Sequence, residues 1–371
     1  MITRTLERTI KEKENDGKAI VVVGARQVGK TTLLKSILEG KDYLFLDADD
    51  PTVRSLLSNP NTEQLRTIIG NYKTVFIDEA QRIPGIGLTL KIIIDQFKDV
   101  RLFVSGSSSF DLGNLLNEPL TGRKWEYQMF PVSWEEYENT IGFVKSEQQL
   151  ENRLLYGFYP DVINNQGNEK ETLKNLVNSY LYRDILALSD IRRSDVLEKL
   201  VQAIALQIGN EVNYNELSQT VGINRITVQK YIDILEKGYI VFRLNSFSRN
   251  IRDEIKKNRK IYFLDNGIRN MIIGDFNPLN LRGDKGALWE NFLVSERYKQ
   301  NMYKQTFSQM FFWRTKQQQE IDFVEVNKGK IYGYEFKWNH KKPNFPQKFI
   351  QTYKADTTLI SKENFRTFVT L

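Results

Sequence analysis

The run Gly24-Ala25-Arg26-Gln27-Val28-Gly29-Lys30-Thr31-Thr32 follows an apolar stretch, Ala19-Ile20-Val21-Val22-Val23, and precedes Leu33-Leu34-Lys35-Ser36-Ile37-Leu38, whose apolar spacing is helical. A buried strand, a glycine-bounded loop and a helix start, in that order, admit few folds. The pattern G-x-x-x-x-G-K-[ST] in this setting reads as a phosphate-binding loop. Glycine lets the backbone turn tightly and present successive N–H groups to a β-phosphate, where a helix N-terminus adds positive potential. Lys30 is expected to reach the β- and γ-phosphates and Thr31 to ligate Mg²⁺. A glycine-rich turn that binds nothing would leave the Lys and Thr at these two positions unexplained. The expectation is binding of ATP or GTP.

A second strand, Thr74-Val75-Phe76-Ile77, ends in Asp78-Glu79. In a parallel sheet this delivers two carboxylates to the edge that carries the phosphate loop, where open α/β sheets bind ligands. Asp78 is expected to hold Mg²⁺ through water and Glu79 to orient and polarise the attacking water, because phosphoryl transfer is catalysed mostly by positioning and charge stabilisation. A third strand, Val100-Arg101-Leu102-Phe103-Val104, runs into Ser105-Gly106-Ser107-Ser108-Ser109. Ser105 or Ser107 would place a hydroxyl between the carboxylates and the γ-phosphate; serines after a strand also cap helices and make turns. Arg123, in Leu120-Thr121-Gly122-Arg123, is a cation for the transferring phosphate, in cis or across a subunit interface.

With these elements in place the chain resembles the AAA-type P-loop ATPases of bacteria and archaea that carry a C-terminal domain of uncharacterised function. The resemblance rests on residues 24 to 32, Ile77-Asp78-Glu79-Ala80-Gln81, Ser105-Gly106-Ser107, and Gly122-Arg123 followed by Phe130-Pro131-Val132-Ser133-Trp134-Glu135-Glu136, and its reach is nearly the whole chain. It implies adenine as the base, and it implies that the loop, the Asp-Glu pair, the polar residue after the third strand and the Gly-Arg form the nucleotide site. Ser105 stands where relatives often have Thr.

A chain of 371 residues exceeds one ordinary core, and 40% hydrophobic content with 12% aromatics gives ample apolar area to bury. With no Cys and a single His, His340, there is no thiol nucleophile, disulfide or zinc site to expect, and any metal must be a hard ion on oxygen ligands. The N-terminus lacks the apolar core of a signal peptide and no apolar run is long enough to span a bilayer, so a cytoplasmic protein without membrane contact is expected. The formal charge of +7 favours a polyanionic partner, although an excess of that size is also compatible with an ordinary solvated surface.

Residues 150 to 195 read as helical, with Leu173, Leu176, Val177, Tyr180, Leu181 and Ile185 at helix spacing and Arg183-Asp184 expected as an internal pair, the alternative being that they reach the nucleotide. Downstream, Leu217, Val221, Ile223, Val228, Ile232 and Leu235 fall on the core positions of two short helices crossing at Gly222, a helix-turn-helix. A strand at 238 to 244 and the basic loop from Arg249 to Lys260 complete the outline of a winged helix. Its second helix would offer Asn224, Arg225, Thr227, Gln229 and Lys230 to phosphates and base edges of DNA. A structural or protein-binding winged helix is the competing reading.

In the last third a helix carrying Glu290 precedes two strands, 320 to 326 and 331 to 337. If Lys328-Gly329 form a two-residue hairpin turn, Asp322 lies directly opposite Glu335, with Lys337 on the same face. Facing carboxylates repel, so their pairing calls for a divalent ion or a compensating cation. With Mg²⁺ or Mn²⁺ between them, Lys337 would act on the attacking water. The spacing D-x12-E-x-K, with Glu290 on an earlier helix, resembles the restriction-endonuclease-like superfamily, which implies Glu290, Asp322, Glu335 and Lys337 as a nuclease site. The plain alternative pairs Glu320 with Lys337 and leaves the acids solvated.

The expected architecture is α/β: an AAA-type P-loop ATPase domain over 1–140, a helical lid or bridge over 141–195, a winged helix over 196–265, and a nuclease-like α/β domain over 266–371. The expected function is Mg²⁺-dependent ATP binding and hydrolysis driving a conformational cycle on DNA or DNA-bound partners. An ATP-gated DNA nuclease and a nucleotide-dependent switch that binds proteins are the alternatives, and the oligomeric state is left open.

Overall fold

The computed structural model describes residues 2–107, 119–179, 194–248, 259–339 and 343–370. The chain divides into two compact units, Met1–Pro131 with Lys237–Tyr239, and Val132–Glu236 with Ile240–Leu371.

The first unit is built on a five-stranded sheet of β1 (Ala19–Gly24), β2 (Leu44–Asp47), β3 (Thr74–Asp78), β4 (Arg101–Gly106) and β5 (Lys124–Met129), in the order β2-β3-β4-β1-β5. Every pair is parallel. Parallel strands are covered on both faces and therefore read as unbroken apolar runs; β1 and β3 are buried at every position. Helices Thr5–Lys13, Lys30–Ile37, Thr62–Ile69 and Ile86–Gln96 bury Leu6 and Ile10, Leu33 and Leu34, Leu65 and Ile69, and Leu90 and Ile93. Because the strands are parallel, the ends of β1, β3 and β4 lie at one edge. That edge carries the phosphate loop, Asp78 and Ser105.

In the second unit seven strands form a mixed sheet in the order β12-β11-β10-β9-β7-β8-β6. They are β6 (Glu211–Val212), β7 (Val241–Ser246), β8 (Arg259–Phe263), β9 (Gln309–Arg314), β10 (Glu320–Asn327), β11 (Lys330–Phe336) and β12 (Asp356–Ile360). The division expected at 265/266 falls inside this sheet, because β7 pairs in parallel with β9. Residues 132–140, expected with the ATPase domain, also belong to the second unit. Ser133 and Glu136 close a capping box on helix Trp134–Ile141, the Trp134 N–H donates to Glu296 at 2.6 Å, and its ring meets Phe365 edge-on at 5.2 Å.

Helices Phe143–Tyr156, Pro160–Asn164 and Glu169–Leu176 occupy the segment expected to be helical, and Leu173, Leu176 and Val177 are buried there. Tyr180, Leu181, Arg183, Asp184 and Ile185 lie outside the described residues. Helix Lys285–Tyr303 is buried on several faces, including its charges. Arg297 therefore pairs with Glu325 at 2.7 Å and Lys299 with Glu296 at 2.7 Å, since a buried charge must be matched. Among the described residues no helix is long and apolar enough to cross a membrane.

Candidate nucleotide site and C-terminal acid cluster

The loop after β1 adopts left-handed backbone conformations at Gln27 (φ 59°) and Gly29 (φ 94°), the kind of alternation that turns successive N–H groups into an anion-binding concavity. Gly24 admits no side chain: a Cβ there would lie 2.1 Å from the Met129 carbonyl oxygen on β5. Helix Lys30–Ile37 starts directly after the loop, so Lys30 and Thr31 sit in its first turn. The buried Lys30 ammonium donates to the Gly24 and Ala25 carbonyls at 3.1 and 2.7 Å. Burial lowers its pKa to about 8, against the opposing pull of Glu79 and Asp78.

At the end of β3, Asp78 accepts hydrogen bonds from the Thr31 hydroxyl at 2.9 and 3.1 Å and from the Ser105 hydroxyl. Strand β4 lies between β1 and β3, placing Ser105 beside Val22 and next to the acidic end of β3. Burial raises the pKa of Asp78, and the hydrogen bonds from Ser105 and Thr31 act against that rise. Glu79 holds a left-handed backbone (φ 50°, ψ 40°), a conformation that costs a non-glycine residue about 1 kcal/mol or more. The Gln81 amide donates to the Glu79 carboxylate and, at 2.8 Å, to Ser107. Ser105 and Ser107 thus contact different acidic-edge groups; Ser108 and Ser109 lie outside the described residues.

The hydroxyl of Thr31 and the carboxylate of Asp78 are hard oxygen donors, and Lys30 supplies a buried positive charge at a helix N-terminus. This donor set fits a Mg²⁺-nucleotide.

Arg123 is not at this edge. Its backbone carbonyl accepts from the N–H of Ala19, at the beginning of β1, and its guanidinium pairs with Asp95 at 2.9 Å. The phosphate loop begins at the other end of β1, about 16 Å away at the rise of a parallel strand. The expected cis role of Arg123 is therefore corrected by the parallel register of β1 and β5.

Two contributors at this edge were not expected from the sequence. Arg4, 8% exposed, donates to the Val28 carbonyl of the loop at 2.7 Å and to the Phe130 carbonyl at 2.6 Å, tying the loop to the chain after β5. A single arginine near the start of a chain carries no local signal of this. Gln81 was legible in principle, two residues beyond Glu79 in the Asp-Glu-Ala-Gln run.

In the second unit, helix Tyr214–Val221 ends at Gly222 (φ 75°), and helix Arg225–Lys237 follows. Leu217, Val221, Val228, Ile232 and Leu235 are buried and Ile223 is half-buried, while Asn224, Arg225, Gln229 and Lys230 are exposed. The Asn224 side chain accepts from the Thr227 N–H at 2.8 Å and hydroxyl at 3.0 Å, so these two residues form the start of the second helix. Ile226 is 81% exposed among them. Of the basic loop, residues 249–258 lie outside the described residues, while Arg259 and Lys260 belong to β8. Lys260 is buried, which removes it from any basic wing surface.

Strands β10 and β11 pair with Phe323 opposite Tyr334 and Asn327 opposite Lys330, across a turn in which Lys328 (φ 49°) and Gly329 (φ 80°) are both left-handed. Asp322 lies where the register of β10 against β9 shifts, between Ile321 and Val324, and its carboxylate accepts from the Phe336 N–H at 2.8 Å. Glu335 pairs with Lys337 at 3.4 Å. Glu320 pairs with Lys260 at 2.6 Å and Arg314 at 3.6 Å, and not with Lys337. Glu290 meets Lys260 at 3.0 Å and accepts from the Tyr262 hydroxyl at 2.6 Å. Burial pushes the Glu290 carboxyl up to about 7 despite Lys260, and burial followed by the charge of Asp322 pushes Glu335 up to about 7. The structure therefore draws Glu290, Asp322, Glu335 and Lys337 into one neighbourhood and adds Lys260, Tyr262 and Glu320 to it. His340 lies outside the described residues.

Three family descriptions match successive parts of the chain: an AAA domain over residues 16–138, a domain of unknown function (DUF8612) over 147–279, and a domain of unknown function (DUF4143) over 285–367. Uncharacterized protein Rv2008c of Mycobacterium tuberculosis is 27% identical over 323 residues, covering 86% of this chain and 70% of its own length. Uncharacterized protein MJ1544 of Methanocaldococcus jannaschii is 22% identical over 350 residues, covering 88% and 76%. Among solved structures, the Walker-type ATPase PABY2304 of Pyrococcus abyssi superposes with a TM-score of 0.50 at 16% identity, covering 73% of this chain and 96% of that one. The first unit thus has the fold of an AAA-type P-loop ATPase domain.

Proposed function

We propose that the chain binds ATP with Mg²⁺ at the edge formed by Gly24 to Thr32, Asp78, Glu79 and Ser105, hydrolyses it, and couples that cycle to DNA. The observation that carries the nucleotide site is the Thr31–Asp78–Ser105 contact, which joins the phosphate loop to the acidic end of β3. Thr31, and Asp78 through water, would hold Mg²⁺, which when bound neutralises charge on the phosphates. Lys30 binds the β- and γ-phosphates. The carboxylate of Glu79, oriented by Gln81, takes a hydrogen bond from the attacking water and positions it. Ser105 fixes the carboxylate of Asp78. Arg123, removed from its own site by the register of β5, would serve only a neighbouring copy.

For DNA coupling, the support is the order of helix Ser194–Leu206, β6, two helices either side of Gly222, then antiparallel β7 and β8, an order consistent with the expected winged helix. Arg225, Gln229 and Lys230 stand exposed on its second helix, with Asn224 and Thr227 at that helix's start. Steady-state ATP hydrolysis with and without double-stranded DNA tests this coupling. Stimulation is expected; a rate indifferent to DNA would favour a nucleotide-dependent switch acting on proteins.

A second reading, ATP-gated cleavage of DNA, draws on the neighbourhood of Glu290, Asp322, Glu335 and Lys337 and on the D-x12-E-x-K spacing, which resembles that of the restriction-endonuclease-like superfamily. It requires Asp322→Ala or Lys337→Ala to abolish cutting while hydrolysis persists.

A further inference from the structure

The C-terminal acid cluster has the residue types for a divalent metal but not the arrangement. Among the described residues no group of three or more acidic or histidine side chains is placed to hold an ion. Each acid already has a donor from the protein. Glu290 has Lys260 and Tyr262, Glu320 has Lys260 and Arg314, Glu335 has Lys337, and Asp322 takes the Phe336 N–H.

We propose that Lys260 is the resident cation of this cluster, its ammonium bridging Glu290 and Glu320 beside Asp322 and excluding a divalent ion. Two observations place it there. The side chain is 1% exposed, although it comes from a strand expected to end a basic surface loop. Its Nζ stands 3.0 Å from Glu290 and 2.6 Å from Glu320, and Asp322 adds to the negative potential around it. Metal-dependent chemistry at these acids accordingly requires Lys260 to be withdrawn. A compensating cation is one of two answers to the facing carboxylates on the hairpin; Lys337 pairs with Glu335, and Lys260, from another strand, adds positive charge near Asp322.

The test is Mn²⁺ binding by the full chain, followed by the paramagnetic resonance signal of free Mn²⁺, with Thr31→Ala and Asp78→Asn present throughout to silence the phosphate loop. The Lys260-bearing chain is expected to take up no Mn²⁺ that Asp322→Asn removes. Lys260→Met is expected to gain one Mn²⁺ per chain and a melting temperature that Mn²⁺ raises by several degrees, both lost on adding Asp322→Asn. Where Lys260→Met alone does not fold, the charge-balanced pair Lys260→Met with Glu320→Gln replaces it. Mn²⁺ held by the Lys260-bearing chain through Asp322 would overturn the proposal. So would a folded lysine-free variant that gains no ion.

Discussion

The Thr31 hydroxyl lies 2.9 and 3.1 Å from the two carboxylate oxygens of Asp78, across 47 residues of sequence. One group opens the helix after the phosphate loop and the other ends a strand two places away in the sheet. Their meeting is what the parallel order of β3, β4 and β1 enforces. If Asp78 holds Mg²⁺ through water, it is an outer-sphere residue, and Asp78→Asn should weaken Mg²⁺-dependent hydrolysis by about 10–100-fold. The readout is the Mg²⁺ concentration dependence of the rate, which should shift to higher Mg²⁺ while the fold, followed by circular dichroism, stays intact.

Gly24→Ala places a methyl group 2.1 Å from a backbone carbonyl that cannot swing away, since Met129 is paired to β1 in the sheet. The strand or the loop must move. A loss of about 3 kcal/mol is expected by analogy with overpacked cores, measured as a lower urea midpoint of the first transition, together with loss of nucleotide binding.

The elements of the candidate nucleotide site meet at one edge because they are local strings that a parallel sheet brings there. The loop, Asp78-Glu79 and Ser105 each follow a strand, so strand direction alone placed them together. Arg123 precedes a strand, and parallel pairing puts strand beginnings at the far edge, which leaves only the expected role across a subunit interface. Arg4 and Gln81 act through contacts that no spacing rule encodes. On the hairpin, Lys328-Gly329 fixed the register through turn chemistry. Lys260 closes a charged run in the sequence, yet the apolar run Ile261-Tyr262-Phe263 behind it marks a buried strand whose inward positions need partners.

The buried acids give the second unit a pH dependence with a definite sign. Folding raises Glu290 from its ordinary 4.5 to about 7, so between those values the folded chain holds a proton that the unfolded chain has released. Unfolding free energy then falls as pH rises from about 4.5 to 7, by a few kcal/mol at most from this group. Glu335 contributes in the same direction. Glu290→Gln should flatten this slope in urea titrations across that pH range; an unchanged slope would show that the group is ionised in both states.

Arg225 and Lys230 lie on helix Arg225–Lys237, which the proposed function sets against DNA, exposed and without a structural task that burial would impose. Each Arg or Lys that contacts a phosphate releases about one counterion, so Arg225→Ala and Lys230→Ala should each weaken DNA binding and reduce the salt slope of log Kd by about 1. Fluorescence anisotropy of a labelled duplex across a salt series measures both. Unchanged slopes would direct attention to Ile226 and a protein partner.

The most direct measurement is Mg²⁺-ATP binding and steady-state hydrolysis by the unaltered chain, by Lys30→Ala and by Glu79→Gln. The unaltered chain should bind and hydrolyse ATP, and Lys30→Ala should do neither. Glu79→Gln should bind ATP normally while losing about 10²–10⁴-fold in kcat, as expected for a residue that positions and polarises the attacking water. Hydrolysis undiminished in both variants, or no ATP binding by the unaltered chain, would contradict the assignment of this edge as the nucleotide site.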